Sequence, residues 1–308
     1  MIKYISFISI LFLLASCQGK PDVSKTAAPV EETPWQGWNK YQIKPEDSLA
    51  AYGHELISNT AYYLGPKGKV AALTNGMNCQ NCHLNGGIVP FGNNYSAVVS
   101  TYPKFRARSG GIETIPKRVN DCMERSLNGI ALDTNSREMN AIVAYLHWLG
   151  DEVPKGKSPK GSGLPDIPEL DRPADPEKGA VVYQQKCTVC HGANGEGQPN
   201  PEGYGYTYPP LWGNNSYNVG AGLYRITRLA AYVKYNMPFG TANYKNPMVS
   251  NEEAWDVAAY INSRPRPGRD LSKDWPDISK KPKDHPFGPY SDGRTEAEHK
   301  YGPWPKGK

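Results

Sequence analysis

The chain has 308 residues, which is enough for about two domains of ordinary size. Its 35 basic and 30 acidic residues give a net charge of +5, and no tract is dense in Lys and Arg, which argues against nucleic-acid binding. The apolar fraction of 38% is below the usual share for globular domains, which is consistent with a core completed by a bulky apolar cofactor.

The N-terminus predicts export. Lys3 precedes an apolar run over residues 4–15 that is too short to span a bilayer but suits the core of a signal peptide. The run ends in LASC, which resembles a bacterial lipobox, so residues 1–17 are predicted to be a lipoprotein signal peptide with Cys17 as the lipid anchor. An ordinary cleaved signal peptide is the alternative. We expect the mature protein at the periplasmic face of the envelope, in contact with the membrane only through this anchor.

Composition and periodicity divide the rest of the chain. Residues 18–45 are polar, rich in Pro, Lys and Glu, and without apolar periodicity, which predicts a flexible tether. Residues 151–172 contain repeated Pro and Gly and predict a linker. The stretches 46–150 and 173–266 show helical periodicity and are predicted to be two domains. Residues 267–308 lack periodicity and predict an irregular tail that wraps the surface.

Capping patterns mark where several helices of the two domains are expected to begin. The three patterns are Asn135 with Glu138, Asp175 followed by Pro176, and Ser250 with Glu253. In each domain the last of these helices follows a long loop, so the same order of elements is predicted twice.

The first domain contains the pattern C-x-x-C-H at Cys79, Cys82 and His83, which is typical of covalent haem c attachment. Thioether bonds from the two cysteines would hold the porphyrin, and His83 would ligate the iron from one face.

The second domain repeats this pattern at Cys187, Cys190 and His191. Disulfides would leave the histidine after each pair unexplained, and a four-cysteine zinc site prefers closer pairs. Two such motifs behind an export signal therefore predict two covalently bound haem c groups. The predicted fold is mostly α, with two tandem cytochrome c-like domains that each carry one attached haem c.

The second domain also offers a further iron ligand. Met237-Pro238, in the loop ahead of the last helix, resembles the setting of the sixth ligand in class I cytochromes c. Met248 is the rival, but it directly precedes the capping pattern at Ser250 and is expected to be a packing residue.

Cys122 is the cysteine that neither the lipid anchor nor the haem motifs use. It could ligate the first iron as a thiolate, or be a small buried apolar residue or an unused thiol. Met123 beside it remains a rival ligand. Because a spare thiol in an exported protein is a liability unless it is used or buried, the residues favour ligation by Cys122.

The segments around these motifs resemble the dihaem thiosulfate dehydrogenase/tetrathionate reductase family, from about residue 50 to 266. The resemblance is carried by residues 79–87, 102–110, 118–129, 236–238 and 253–262. It implies that the first haem, ligated by His83 and Cys122, is the active site, and that the second haem relays electrons. Its ligands would be His191 and Met237.

The resemblance also implies that Arg108 and Arg118 bind the sulfonate groups of the substrate. Residues 104–125 hold six basic groups against three acidic ones, and planar guanidinium groups suit small sulfur dianions. A solvated charged surface is the ordinary alternative for any one arginine. Some members of the family have a Lys just before the Met and exchange iron ligands with redox state. Here Asn236 occupies that position and Lys234 is out of register, so no exchange is expected.

The predicted function is interconversion of thiosulfate and tetrathionate, with an electron-carrier cytochrome or another redox protein as partner. A thiolate donates electron density to iron and a thioether raises the potential, so electrons are expected to run from the first haem to the second. The alternatives are a related sulfur-oxidising cytochrome that conjugates thiosulfate to a carrier protein, and a dihaem electron carrier without a substrate. The histidines outside the haem motifs, including His285, are expected in surface or packing positions.

Overall fold

A computed structural model describes residues 33–35 and 48–304 of the protein. The described part of the first half contains six α-helices and a small antiparallel sheet. The helices are α1 (Ser48–Ser58), α2 (Thr60–Leu64), α3 (Leu84–Gly87), α4 (Val98–Thr101), α5 (Ile115–Arg125) and α6 (Arg137–Gly150). Strands β1 (Lys104–Arg106) and β2 (Gly111–Glu113) form a hairpin in which Phe105 pairs with Ile112.

The described part of the second half repeats the helical character. Its helices are α7 (Pro176–Lys186), α8 (Thr188–His191), α9 (Ile226–Asn236), α10 (Asn251–Ser263) and α11 (Glu296–Tyr301). Its strands are β3 (Gln198–Pro199) and β4 (Tyr206–Tyr208), which pair antiparallel. Short 3₁₀ turns lie at Cys79–Asn81, Gly222–Tyr224 and Ile278–Lys280.

Each half closes by packing its first long helix against its last long helix, α1 on α6 and α7 on α10. A glycine allows both close approaches. A Cβ atom at Gly53 of α1 would lie 2.0 Å from the carbonyl oxygen of Ala141, and one at Gly179 of α7 would lie 1.9 Å from that of Asp256. No side chain could be accommodated at these distances, so both helix crossings depend on glycine. The two halves therefore share one packing solution.

Two of the predicted helix starts are confirmed. Asp175 caps α7 by accepting a hydrogen bond from the backbone N–H of Glu177 at 2.8 Å, and Pro176 follows at the first helical position. Ser250 and Glu253 form the expected reciprocal capping box at α10.

The predicted cap of α6 is wrong by one residue. Ser136, not Asn135, occupies the cap, and its hydroxyl accepts the backbone N–H of Met139 at 3.1 Å. Asn135 belongs to the preceding turn, where its own N–H donates to the carboxylate of Asp133. Both residue types are good caps, so the sequence pattern alone does not separate them.

The described part of the chain after residue 266 is mostly irregular, and it is anchored by buried side chains. Asp284, His285, His299 and Trp304 are each at most 5% exposed. The ring of Trp304 lies 5.8 Å from that of Trp255 on α10. Burial of His285 and His299 agrees with the packing role expected for them.

The predicted signal peptide with Cys17 lies outside the described residues, as does nearly all of the predicted tether. Within that tether, the backbone N–H of Trp35 donates to the carbonyl of Lys160 at 2.9 Å. The domain boundaries remain predictions. No helix in the described part of the chain is long and apolar enough to cross a membrane.

Candidate active site

The first C-x-x-C-H motif is held in a fixed shape by short-range hydrogen bonds. Cys79 begins a 3₁₀ turn that Asn78 caps reciprocally with Asn81. The hydroxyl of Thr60, at the start of α2, accepts the backbone N–H of Cys79 at 3.0 Å and lies 3.3 Å from its Sγ atom. The two cysteines of the motif are not joined in a disulfide, so their thiols remain available for thioether bonds.

The histidines of both motifs are oriented for iron. The Nδ1 atom of His83 lies 2.6 Å from the carbonyl oxygen of Asn93, and that of His191 lies 2.8 Å from the carbonyl oxygen of Pro209. Because a carbonyl oxygen can only accept, each ring donates its Nδ1–H and presents the lone pair of Nε2. This is the tautomer and the second-shell bond typical of metal-binding histidines, so both sites fit a haem iron.

Cys122 meets His83 from the other side of the first site. It lies in the middle of α5, and its side chain hydrogen-bonds with that of His83. A neighbouring imidazole and thiol form a donor set suited to haem iron. Met123 points elsewhere: it is 1% exposed and packs into the apolar core of the first half.

The surroundings of Cys122 favour its thiolate. Burial raises the pKa of Cys122, but the positive charge of Arg118, followed by the influence of His83, outweighs that effect and brings the pKa down to about 7. In return, the negative charge at Cys122 raises the pKa of Arg118 above its ordinary value. Arg118 precedes Cys122 by one helical turn of α5, so the two side chains share a helix face.

Arg108 follows β1 and, like Arg118, belongs to the group of charged residues between positions 104 and 125. Burial, followed by repulsion from Arg125, lowers the pKa of Arg108 to about 10. Its Nη1 donates to the carbonyl of Gly220 at 3.2 Å, whereas its Nε is buried without a partner among the described residues. Within the described chain, neither Arg108 nor Arg118 forms an ion pair with a carboxylate.

Three other basic groups between residues 104 and 125 are paired with carboxylates. Arg106 lies 3.8 Å from Glu113, Lys117 lies 2.5 Å from Asp121, and Arg125 lies 2.7 Å from Asp274. These ion pairs distinguish Arg106 and Arg125 from Arg108 and Arg118.

Met237 immediately follows α9 and packs, like Cys187, against the apolar core of the second half. Its backbone N–H donates to the carbonyl of Val233 at 3.0 Å. Met248 is 46% exposed, so the packing role expected for it is wrong. The haem-ligand role of Met237 remains a prediction.

Asn236, directly before Met237, is 4% exposed and bridges the two halves of the chain. Its side-chain amide donates to the carbonyl of Phe91 at 3.1 Å. One turn earlier on α9, the hydroxyl of Tyr232 donates to the carbonyl of Asn81, inside the first C-x-x-C-H motif, at 2.7 Å.

A cleft of about 560 Å³ adjoins Arg108. Its lining comes from α5, including Asp121 and Arg125, and from Arg269 and Asp274 of the C-terminal segment. The sequence does not indicate that this segment lines the cleft, since isolated charged residues without periodicity carry no signal of where they pack.

Two family models match separate parts of the chain. Residues 69–154 match the family model "SoxA/TsdA, cytochrome c domain", and residues 176–265 match the model "Cytochrome c". The chain therefore contains two cytochrome c domains, and these carry two covalently bound haem c groups.

Several curated proteins are similar over most of the chain. A thiosulfate dehydrogenase of Psychrobacter arcticus is 42% identical over 235 residues, which are 75% of this chain and 69% of that protein. A thiosulfate dehydrogenase of Stutzerimonas stutzeri is 37% identical, covering 75% of this chain and 74% of that protein. The solved thiosulfate dehydrogenase TsdBA of Marichromatium purpuratum is 31% identical with a TM-score of 0.66, covering 73% of this chain and 47% of that one. This chain thus matches about half the length of the solved protein.

Proposed function

Because the chain belongs to the thiosulfate dehydrogenase family, we propose that it is a dihaem oxidoreductase that interconverts thiosulfate and tetrathionate. Two thiosulfate dianions give one tetrathionate dianion and two electrons. The observation that carries this proposal is that the side chain of Cys122 lies beside that of His83 and within the electrostatic influence of Arg118, in the first cytochrome c domain. The covalently bound haem c groups supply the one-electron acceptors.

Arg108 and Arg118 are proposed to bind the substrate. Thiosulfate carries two negative charges on a small tetrahedral group, and guanidinium groups donate paired hydrogen bonds to such oxygens. Arg108 keeps a buried Nε–H without a protein acceptor among the described residues, so an anion can satisfy a donor that folding leaves unsatisfied. Arg118 would place the bound anion beside the sulfur of Cys122.

Cys122 is proposed to ligate the first iron together with His83, and to serve as the sulfur nucleophile when it is displaced. Its thiolate and the outer sulfur of one thiosulfate would form a disulfide bond with loss of two electrons. A second thiosulfate would then attack that outer sulfur, releasing tetrathionate and restoring the thiolate. Atoms and charge balance over the two steps.

His191 and Met237 are proposed to ligate the second iron, from which electrons leave to a redox partner. A thioether ligand raises the reduction potential and a thiolate donates electron density, so this pair of ligand sets favours transfer from the first domain to the second. We further propose a periplasmic location with a lipid anchor at Cys17.

Turnover by the purified dihaem protein tests the proposal, with ferricyanide as acceptor and tetrathionate quantified. We expect tetrathionate to form catalytically, and we expect Cys122→Gly to abolish turnover while both haems stay attached. Normal turnover by this variant would refute the role of Cys122.

If the wild-type protein neither oxidises thiosulfate nor, when reduced, consumes tetrathionate, the reaction itself is excluded. The paramagnetic resonance spectrum then separates the alternatives. A low-spin thiolate signature would favour the carrier-conjugating cytochrome, and its absence would favour a simple electron carrier.

A further inference from the structure

Residues 269–280 of the C-terminal segment lie beyond the region matched as cytochrome c, yet several of them line the cleft that adjoins Arg108. The segment touches α5 and the β1–β2 hairpin at successive points. These contacts are Arg269 with Glu124, Asp274 with Arg125, Trp275 with Arg108, Pro276 with Gly110 and Lys280 with Phe105.

The firmest anchor of the segment is the pair of Asp274 and Arg125. The two guanidinium Nη atoms donate to the two carboxylate oxygens, each at 2.7 Å, and the side chains are only 10% and 9% exposed. A bidentate pair at this depth fixes direction as well as distance. Since Arg125 lies one turn after Cys122 on α5, the anchor ties the segment to the helix that carries the reactive sulfur.

The next residue, Trp275, holds Arg108 in two ways. Its backbone N–H donates to the carbonyl oxygen of Arg108 at 2.8 Å. Its indole ring lies 5.6 Å from the guanidinium carbon of Arg108, within the range of a cation–π contact. The Nη1 of Arg108 donates to the carbonyl of Gly220. Its Nε–H is buried and has no protein partner in the described chain.

The backbone of Trp275 is itself unusual. Its φ angle is 59°, in the left-handed region that a bulky aromatic residue rarely adopts. Such a conformation persists where the surroundings fix it on both sides, and it is often found at functional sites. Here the anchor at Asp274 and the contact of Pro276 with Gly110 supply that constraint.

We propose that Trp275 is a positioning residue for the substrate anion, acting through the guanidinium of Arg108. The inference rests on the proposed function, since it gives the arginine a thiosulfate or tetrathionate oxygen to bind. The ring supports one face of the guanidinium and limits its rotation, so that the free Nε–H stays directed at the anion.

A double-mutant cycle tests this inference with Trp275→Gly, Arg108→Ala and the double variant. Glycine adopts the left-handed backbone freely, so Trp275→Gly removes the ring and keeps the main-chain contact. We expect KM for thiosulfate to rise about tenfold with a much smaller change in kcat, as the loss of a desolvated cation–π contact predicts. Because Trp275 acts through Arg108, the double variant should be no worse than Arg108→Ala alone.

Two further variants separate positioning from a structural role. Trp275→Phe keeps an aromatic face under the guanidinium and should restore KM to within about twofold. Trp304→Phe is the control, because Trp304 also has a cation over its ring, Lys283, but packs on Trp255. This variant should leave KM unchanged.

Calorimetry with thiosulfate gives a second readout, on protein fully reduced with titanium(III) citrate so that no turnover occurs. If the wild-type protein binds thiosulfate in the calorimeter but shows no turnover in the ferricyanide assay, the proposed reaction is refuted. The double-mutant cycle, measured as Kd for thiosulfate, would still decide the role of Trp275. Unchanged KM and Kd in Trp275→Gly, or additive effects in the double variant, would overturn the positioning role alone. Wild-type protein that does not bind thiosulfate would overturn both.

Discussion

Arg118 and Cys122 lie one turn apart on α5, and each changes the ionisation of the other. A lysine at position 118 would keep the positive charge but lose the planar fork that can bind two oxygens of a sulfonate group. We therefore expect Arg118→Lys to lower kcat/KM for thiosulfate by about 10- to 100-fold, the loss typical of a hydrogen bond to a charged group.

Arg172→Lys is the matched control for that variant. Arg172, at the end of the predicted linker, makes a bidentate pair with Asp256 of the second domain, away from the first active site. It should reduce stability while leaving kcat/KM unchanged. Equal losses of kcat/KM in the two variants would contradict a substrate-binding role of Arg118.

The glycines at the two helix crossings give a prediction about packing. Gly53→Ala and Gly179→Ala would each force a methyl group to within about 2 Å of a carbonyl oxygen on the partner helix, so the helices must separate. We expect a loss of about 1–3 kcal/mol or more in unfolding free energy, despite the better helix propensity of alanine. Gly222→Ala, where no atom lies within 4 Å of the added Cβ, is the control. If Gly53→Ala and Gly179→Ala unfold at the same temperature as the wild-type protein, the two helix crossings tolerate a side chain.

The anchored C-terminal segment should make the stability of the whole protein depend on pH through His285. Burial, followed by repulsion from Lys281 and Arg108, lowers the pKa of His285 to about 4, although Asp274 acts in the opposite sense. Because the unfolded chain binds a proton near pH 6.5 and the folded chain does not, stability is full above that pH and falls as pH drops toward 4.

The expected loss from His285 over this interval is about 3 kcal/mol. Chemical denaturation of the wild-type protein and of His285→Gln at pH 7 and pH 4.5 measures it. The glutamine does not titrate, so its variant should lose less stability between the two pH values. Parallel losses in the two proteins would exclude His285 as the source.

What the sequence could predict depends on how local each signal is. The C-x-x-C-H motifs, the cap at Asp175 and the capping box at Ser250 are defined by neighbouring residues, and they can be recognised without knowing the fold. Trp275 and Asp274, which contact Arg108 and Arg125, lie more than a hundred residues away in an aperiodic segment. The acceptors for His83 and His191 are backbone carbonyls that any residue could provide. Neither kind of contact leaves a pattern in the sequence.

Helix α9 links the two cytochrome c domains immediately before Met237. Tyr232 bonds to the first C-x-x-C-H motif and Asn236 bonds to Phe91, so movement at Met237 would strain hydrogen bonds that belong to the other domain. As the proposed ligand of the second iron, Met237 would then keep the same geometry in both oxidation states. The reorganisation energy of electron transfer would be small, and the second centre would be suited to pass electrons quickly rather than to store them.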